Sequence, residues 1–520
     1  MRVRRLCALL CVLAFLFALA PARAGAASDA VTQDEASRLL SSQSRNEYAL
    51  LIGVDSFVSR ADTYPSSTNN VNAMQEVFQG ALNPFRAIIV PSDPVTTVDQ
   101  LTALIHKAFG AAGENDVCYL YLSTHGVYDP ASGQEPMLLL SDGQTENGVT
   151  PAQLEAAFDG IEGTKVLILD ACNSGAFIGK GLPSLPEQVH FLGDDFKVLT
   201  SSGALEESWY WSVDDQNDSG IAGQGSFYFT QALAQSLSAA YGYPADQNRD
   251  GCVVLSELYE YLVLNHAAST PQVYPQSDDF VVFRYDASQP LPTGLARAPI
   301  MDVTFSGTTL SRSSRQITIE FIAMRPVRVA YQVVYQRDGK WEFEHAQLIY
   351  DEAERFTAYG DQPGAISAGR KVRTLTLGEL DEGVYGYAMV QLVTIDQGKL
   401  TVHAGRVISI PPDAADMTLT ASVADTFSPA GGRELSIFIG HEYPCALSVS
   451  ILDEEDQVVH RLCHRQSTRP MQMNPEGTVL YWDGQLKDGS FAAPGVYRVR
   501  AEAVMNDTTV TVLSSAFTIQ

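Results

Sequence analysis

The segment VCYLYLSTHG, residues 117–126, and a second, KVLILDAC, residues 165–172, decide how this chain folds. Each opens as a nearly unbroken apolar run of strand length and ends in residues that carry chemistry, His125-Gly126 in one and Asp170-Ala171-Cys172 in the other. Runs that are apolar on both faces belong to buried strands of a parallel sheet, not to a half-wet antiparallel one. Similar runs lie outward on both sides, at YALLIGV (48–54), RAIIV (86–90), KVLTSS (197–202) and DFVVFRY (279–285). Between them stand segments with helical periodicity, VNAMQEVFQGA, VDQLTALIHKAFGAA, PAQLEAAFDGI and SFYFTQALAQSLSAA. The alternation predicts an α/β domain over residues 46–288, with a mostly parallel sheet of about six strands and helices on both faces.

In such a sheet, active sites collect where the strands end at their carboxyl termini. If the two quoted strands are neighbours, His125 and Cys172 leave the sheet at one edge, 47 positions apart in sequence (172 − 125). A thiolate there attacks a carbonyl, while an imidazole takes up the proton and passes it to a leaving amine. Backbone N–H groups of Gly126 and Cys172 are placed to stabilise an oxyanion, and glycine permits close approach. Cys118 lies inside an apolar run and reads as core. His106, His190, His266, His345, His403, His441, His460 and His464 fall outside any motif and read as structural or surface residues.

These two strand endings, His-Gly and Asp-Ala-Cys, resemble those of the caspase, metacaspase and clostripain clan of cysteine peptidases, of the C14 type. The opening strand ALLIGVDSF, the NNVNAM helix start, the KVLTSS strand and the STPQVYPQ segment are similar too, so the resemblance covers about residues 46–288. It implies a Cys172/His125 dyad. It also implies that Asp170, two residues before the nucleophile, lines the pocket for the side chain preceding the scissile bond. An acid there is similar to the Arg/Lys-selective members of the clan, and a carboxylate pairs well with a guanidinium or ammonium. Asn70 stands where metacaspases often carry a second acid, at the start of the early helix, which tempers that preference. Ser201 and Ser202 match positions at which the family's groove holds substrate backbone.

A separate motif occurs at DQNRDGCVVLSE. Asp246, Asn248, Asp250, Gly251 and Glu257 fill the D-x-[DN]-x-[DN]-G-x5-E pattern of an EF-hand calcium loop, with Cys252 lending only its carbonyl. Helical segments flank it, as calcium binding requires. Against the metal, Val254 brings no side-chain oxygen to the ninth position, and the alternative is an Asx-rich turn running into a helix. The dyad chemistry itself requires no cofactor.

Past Tyr285 a Pro-rich linker, SQPLPTGLARAPI, ends the helical periodicity, and two strand-rich stretches follow at 300–410 and 415–520. Each has the size of an immunoglobulin-like sandwich. The second carries FSPAGGRELSIFI, VSILDEEDQVVHRL and YWDGQLKDGSFAAPGVYRVRAEA, which resemble the Ig-like domain of the flagellar hook-assembly (FlgD) type. The tokens are Trp482-Asp483-Gly484, Asp488-Gly489 and Pro494-Gly495-Val496-Tyr497. Cys445 and Cys463 flank a hairpin there and are candidates for a cross-strand disulfide or for two separate thiols.

At the other end, Arg2, Arg4 and Arg5 precede an apolar run, Leu6–Ala20, broken by Pro21 and followed by small residues. This reads as a signal peptide over 1–26, with a linker or short pro-segment over 27–45, and predicts a secreted protein with no membrane span after processing. Lys and Arg number 34 against 61 Asp and Glu, for a net charge of −27. Phosphates are repelled by such a surface, so nucleic acid is excluded as a partner. No G-x-S-x-G and no H-E-x-x-H occurs, which disfavours serine and zinc hydrolases. The expected function is a secreted cysteine endopeptidase acting on protein or peptide, cleaving after Arg or Lys. The competing reading is a non-catalytic caspase-fold binding or adhesion protein whose Ig-like modules meet a surface or partner protein.

Overall fold

The apolar runs become the centre of one sheet in the computed structural model. It describes residues 45–520 except 60–65, 182–189, 214–223, 266–267, 312–313, 338–339, 343–345, 355, 357–361, 378–385, 397–398, 413–416, 430–433, 469–476, 488 and 507. The signal-peptide and linker readings over 1–44, and those of His266, His345 and Asp488, lie outside the described residues.

Along β1 (Glu47–Gly53), Tyr48, Leu50 and Ile52 face one core while Ala49 and Leu51 face the other. Alternation of this kind, apolar on both sides, is what a central strand needs. Helix α1 (Ser66–Gln79) packs Val71, Met74, Val77 and Phe78 on the second face. After β2 (Ala87–Ile89), α2 (Val98–Phe109) lays Leu101, Ile105 and Phe109 on the first. A capping box starts α2: the Thr97 hydroxyl accepts from the Gln100 amide, and the Gln100 side chain accepts from the Thr97 amide. Then come β3 (Val117–Ser123), the three-stranded ribbon β4 (Gly126–Val127), β5 (Met137–Ser141) and β6 (Glu146–Val149), and the short α3 (Pro151–Ala156). Strands β7 (Thr164–Asp170) and β8 (Phe196–Thr200) return to the main sheet. The hairpin β9 (Tyr210–Val213) and β10 (Gln224–Phe227) leads into α4 (Tyr228–Ser236). Finally β11 (Cys252–Val254), α5 (Leu255–Asn265), β12 (Gln272–Tyr274) and β13 (Val281–Arg284) close the α/β region.

The sheet order is β12-β8-β7-β3-β1-β2, parallel throughout except for β12. Helices cover both faces, as the alternation predicted. One expectation is corrected: the sixth strand is the three-residue Gln272–Tyr274, not the apolar run at 279–285. That run forms β13, which pairs antiparallel with β11 in a two-stranded sheet of its own. Pro275 follows β12 directly, and a strand so short leaves no periodic signal. A second correction concerns α1, which begins at Ser66, so Asn70 lies in the helix body and not at its start.

Beyond Ile300 the regular structure among the described residues is all β. A three-stranded antiparallel sheet (300–306, 316–323, 369–376) and a larger one built on 327–337, 386–396 and 399–410 enclose one core. Another pair of antiparallel-dominated sheets encloses a second core between 419 and 519. The larger sheet of the first β region packs Met389, Val393 and Val402 around Tyr228 of α4, whose hydroxyl donates to Gln391 Oε1 at 3.2 Å. Of the two readings of Cys445 and Cys463, the structure has the separate thiols. The hairpin forms, but Cys463 is the register partner of Val449, while the Cys445 carbonyl accepts from the Thr468 amide, and both thiols are free.

Candidate active site

Ser123 and Asp170, the last residues of β3 and β7, are register partners in the parallel pair. The ladder runs one step further, with the Thr124 amide donating to the Asp170 carbonyl at 3.1 Å. His125 and Cys172 therefore leave adjacent strands at equivalent positions. Gly126 lies against the carbonyl of Cys172, at 1.7 Å from where a Cβ would stand. That contact explains the His-Gly pair physically, because no side chain fits there.

The His125 ring is nearly buried and packs on Phe57 at a centroid distance of 4.4 Å. It borders a narrow cleft lined also by Asp55, Ser66, Thr124, Tyr210 and Phe227. Cys172 is half-exposed, and its thiol donates to the Ser208 carbonyl at 3.6 Å. Asn173 adopts the left-handed conformation at φ 57° and turns the chain sharply into a 3-10 segment, Ser174–Ile178. Residues after β8 hold this turn: the Asn173 amide donates to the Glu206 carbonyl at 2.7 Å, and Asn173 Nδ2 to the Ala204 carbonyl at 2.8 Å.

Asp170 and Asn70 fall in one buried polar cluster, and both are fully covered. Asp170 accepts from the Ser208 hydroxyl at 3.0 Å and from Thr230 Oγ1 at 2.6 Å, and Thr230 is bonded in turn to the Tyr121 hydroxyl at 2.6 Å. Burial, only partly offset by these hydroxyls, pushes the Asp170 carboxyl up to about 6. Asn70 donates to Ser123 Oγ at 3.1 Å and accepts from Ser226 Oγ at 2.9 Å and the Phe227 amide at 3.1 Å.

Ser201 and Ser202 are fully buried as well. Ser201 Oγ accepts from the Ala171 amide at 3.0 Å, and both hydroxyls donate to the Ala171 carbonyl. They brace the peptide immediately before Cys172. The sequence reading missed Ser208, Thr230, Tyr210 and Phe227, which reach the site from distant segments without any local motif. It had placed Cys118 correctly, since that thiol is buried in β3 and desolvation pushes it up to about 12.

The loop at 246–257 follows part of the expected course, with left-handed Arg249 and Gly251 leading into β11 and α5. Burial, together with the nearby carboxylates of Asp246 and Asp250, raises the Glu257 carboxyl above its ordinary range. Asp246 accepts from the amides of Arg249 and Gly251 and from the Tyr285 hydroxyl. Asn248 accepts from the Asp250 amide, Asp250 from the Cys252 amide, and Glu257 from those of Gln247 and Val254. No group of three or more His, Cys, Asp or Glu side chains able to hold a metal occurs among the described residues. As arranged, the side chains of this loop accept amides of the loop itself, as in an Asx-rich turn.

A half-exposed thiol and an imidazole at neighbouring strand ends of a mostly parallel α/β sheet define the class: a caspase-fold domain of the cysteine-peptidase type. The chain matches the family described as Caspase domain over residues 46–401, and it belongs to that family. No curated protein sequence matches it. Among solved structures, dimeric latent PorU from Porphyromonas gingivalis aligns at 14% identity and TM-score 0.18, covering 42% of this chain and 20% of its own. Caspase-1 from Spodoptera frugiperda aligns at 13% identity and TM-score 0.30, covering 48% of this chain and 93% of its own. No helix among the described residues is long and apolar enough to cross a membrane.

Proposed function

We propose that this chain is an exported cysteine endopeptidase in which the Cys172 thiolate attacks the scissile carbonyl and His125 carries the proton to the leaving amine. The observation that carries the reading is the β3–β7 register, which brings His125 and Cys172 off the sheet together. The Gly126 and Cys172 amides stabilise the oxyanion, and thiol and imidazole supply the chemistry with no cofactor. Ser201 and Ser202 serve as positioning residues, since they fix the Ala171 peptide from which Cys172 projects.

Selectivity for Arg or Lys rests on Asp170, which lies beside the nucleophile. Its hydroxyl partners on Ser208 and Thr230 are groups that can turn to a new acceptor when a cation arrives. Asn70 in the same cluster supplies polarity without charge. Export rests on the N-terminal basic and apolar segment, and the acidic surface suits a protein outside the cell. We read residues 415–520 as the FlgD-type Ig-like module. The Tyr497 hydroxyl donates back to the Ala493 carbonyl at 3.0 Å, a corner of the kind that pins such sandwiches, and Trp482 is buried in the core.

The deciding experiment incubates the purified chain with peptide amides that differ only at the residue before the scissile bond, alongside Cys172→Ala. Cleavage after Arg or Lys that disappears in the variant supports the proposal. Hydrolysis that persists in Cys172→Ala would end it.

A further inference from the structure

We propose that the C-terminal β region clamps the nucleophile-bearing turn, with Tyr481 acting as a positioning residue for Cys172. The proposal deepens the peptidase reading and rests on it only for the nucleophile's identity.

The turn after Cys172 ends at Gly179, Lys180 and Gly181. Lys180 ties the two loops of the site together: its amide donates to the Gly175 carbonyl at 2.9 Å, and its carbonyl accepts from the Ala204 amide at 2.8 Å. Gly175 in turn donates to the Ser202 carbonyl at 2.9 Å. Any shift of Lys180 and Gly181 is therefore passed to the turn that starts at Asn173 and to the loop that holds it.

Both residues are gripped from the far end of the chain. The Gly181 amide donates to the Tyr481 hydroxyl, a contact spanning 300 positions. Lys180 forms an ion pair with Glu434 in which both side chains are buried. Its ammonium also donates to the Val273 carbonyl at 2.7 Å and sits 4.9 Å from the centre of the Tyr481 ring. Only glycine fits at this contact, because Gly181 has a φ of +86° and a Cβ there would fall 2.5 Å from the Ala204 amide nitrogen. Its N–H is buried, so without the Tyr481 hydroxyl it would lose the acceptor that this packing supplies and have to move to find water. Burial pushes the Tyr481 hydroxyl far above the ordinary phenol range, so it stays protonated at any working pH.

The test compares the full chain with Tyr481→Phe and with Ser277→Ala. Ser277 bonds Asp483 at the exposed rim of the same interface, at 2.6 Å. Peptide-amide kinetics and the rate of Cys172 alkylation by iodoacetamide, read by mass spectrometry, are measured well below each variant's Tm. In Tyr481→Phe, kcat falls about tenfold with KM nearly unchanged, the factor that one lost hydrogen bond represents. The Cys172 alkylation rate changes at least threefold, and Ser277→Ala matches wild type in both. Unchanged kcat and unchanged alkylation in Tyr481→Phe overturn the clamp, as does an equal loss in Ser277→Ala. If wild type cleaves no peptide but Cys172 alkylation still responds to Tyr481→Phe alone, the clamp stands and the peptidase reading falls.

Discussion

Gly126 stands so close to Cys172 that a Cβ placed on it would lie 1.7 Å from the Cys172 carbonyl oxygen. Gly126→Ala must therefore push the two strand ends apart. Misplacing reacting groups by about 1 Å costs on the order of 10²-fold, so kcat/KM for a peptide amide is expected to fall at least that far. Circular dichroism retaining the α/β signal would show that the loss is local.

His125→Ala removes the proton carrier and leaves the thiol. Peptide hydrolysis is expected to drop by about 10²–10⁴, the usual worth of general acid–base catalysis. Active-site titration with a thiol-reactive peptidyl ketone separates this variant, which keeps Cys172, from Cys172→Ala, which takes up no label.

Asp170→Asn keeps the shape of the pocket and removes its charge. The loss for Arg substrates is expected to be roughly 10²-fold, with neutral side chains affected less. In wild type, kcat/KM for Arg substrates should fall as pH drops through about 6, where the buried carboxyl takes up its proton. Faster cleavage after Asp or Glu than after Arg would reverse the pocket assignment.

The same residue gives stability a pH dependence of defined sign. The folded state holds the Asp170 proton near pH 6, against an ordinary carboxyl value of 3.8. Its contribution is complete below 3.8 and is lost as pH rises through about 6, a change on the order of 3 kcal/mol. Asp170→Asn carries no such slope. Its Tm relative to wild type is expected to rise between pH 5 and pH 7, and a constant difference would show that the carboxyl is ionised throughout.

Calcium is expected to leave the chain unchanged. The carboxylates of Asp246, Asp250 and Glu257 already accept amides of their own loop, and no group of three or more His, Cys, Asp or Glu side chains able to hold a metal occurs among the described residues. Calorimetric titration with calcium should show no uptake, and Tm should not move on chelation, whereas a stoichiometric rise in Tm would reinstate the metal.

The sequence alone determined the α/β character of the first region, the strands that end in His125 and Cys172, and the switch to β structure past the Pro-rich linker. These are readable because apolar runs, helical periodicity and turn residues are local signals. Three features lay beyond such signals. Gln272–Tyr274 became the sixth strand because β8 offered an open edge, not because three residues have a period. Cys445 and Cys463 were separated by the register that the hairpin's bulges impose. Asp170 was made a buried acid with a raised pKa by the packing around it, which also brought it the hydroxyls of Ser208 and Thr230 from 38 and 60 positions away. The tertiary structure alone joined Tyr481 to Gly181 across 300 positions. Such contacts follow from how whole sheets and regions pack, and neither residue's neighbours in sequence contain that information.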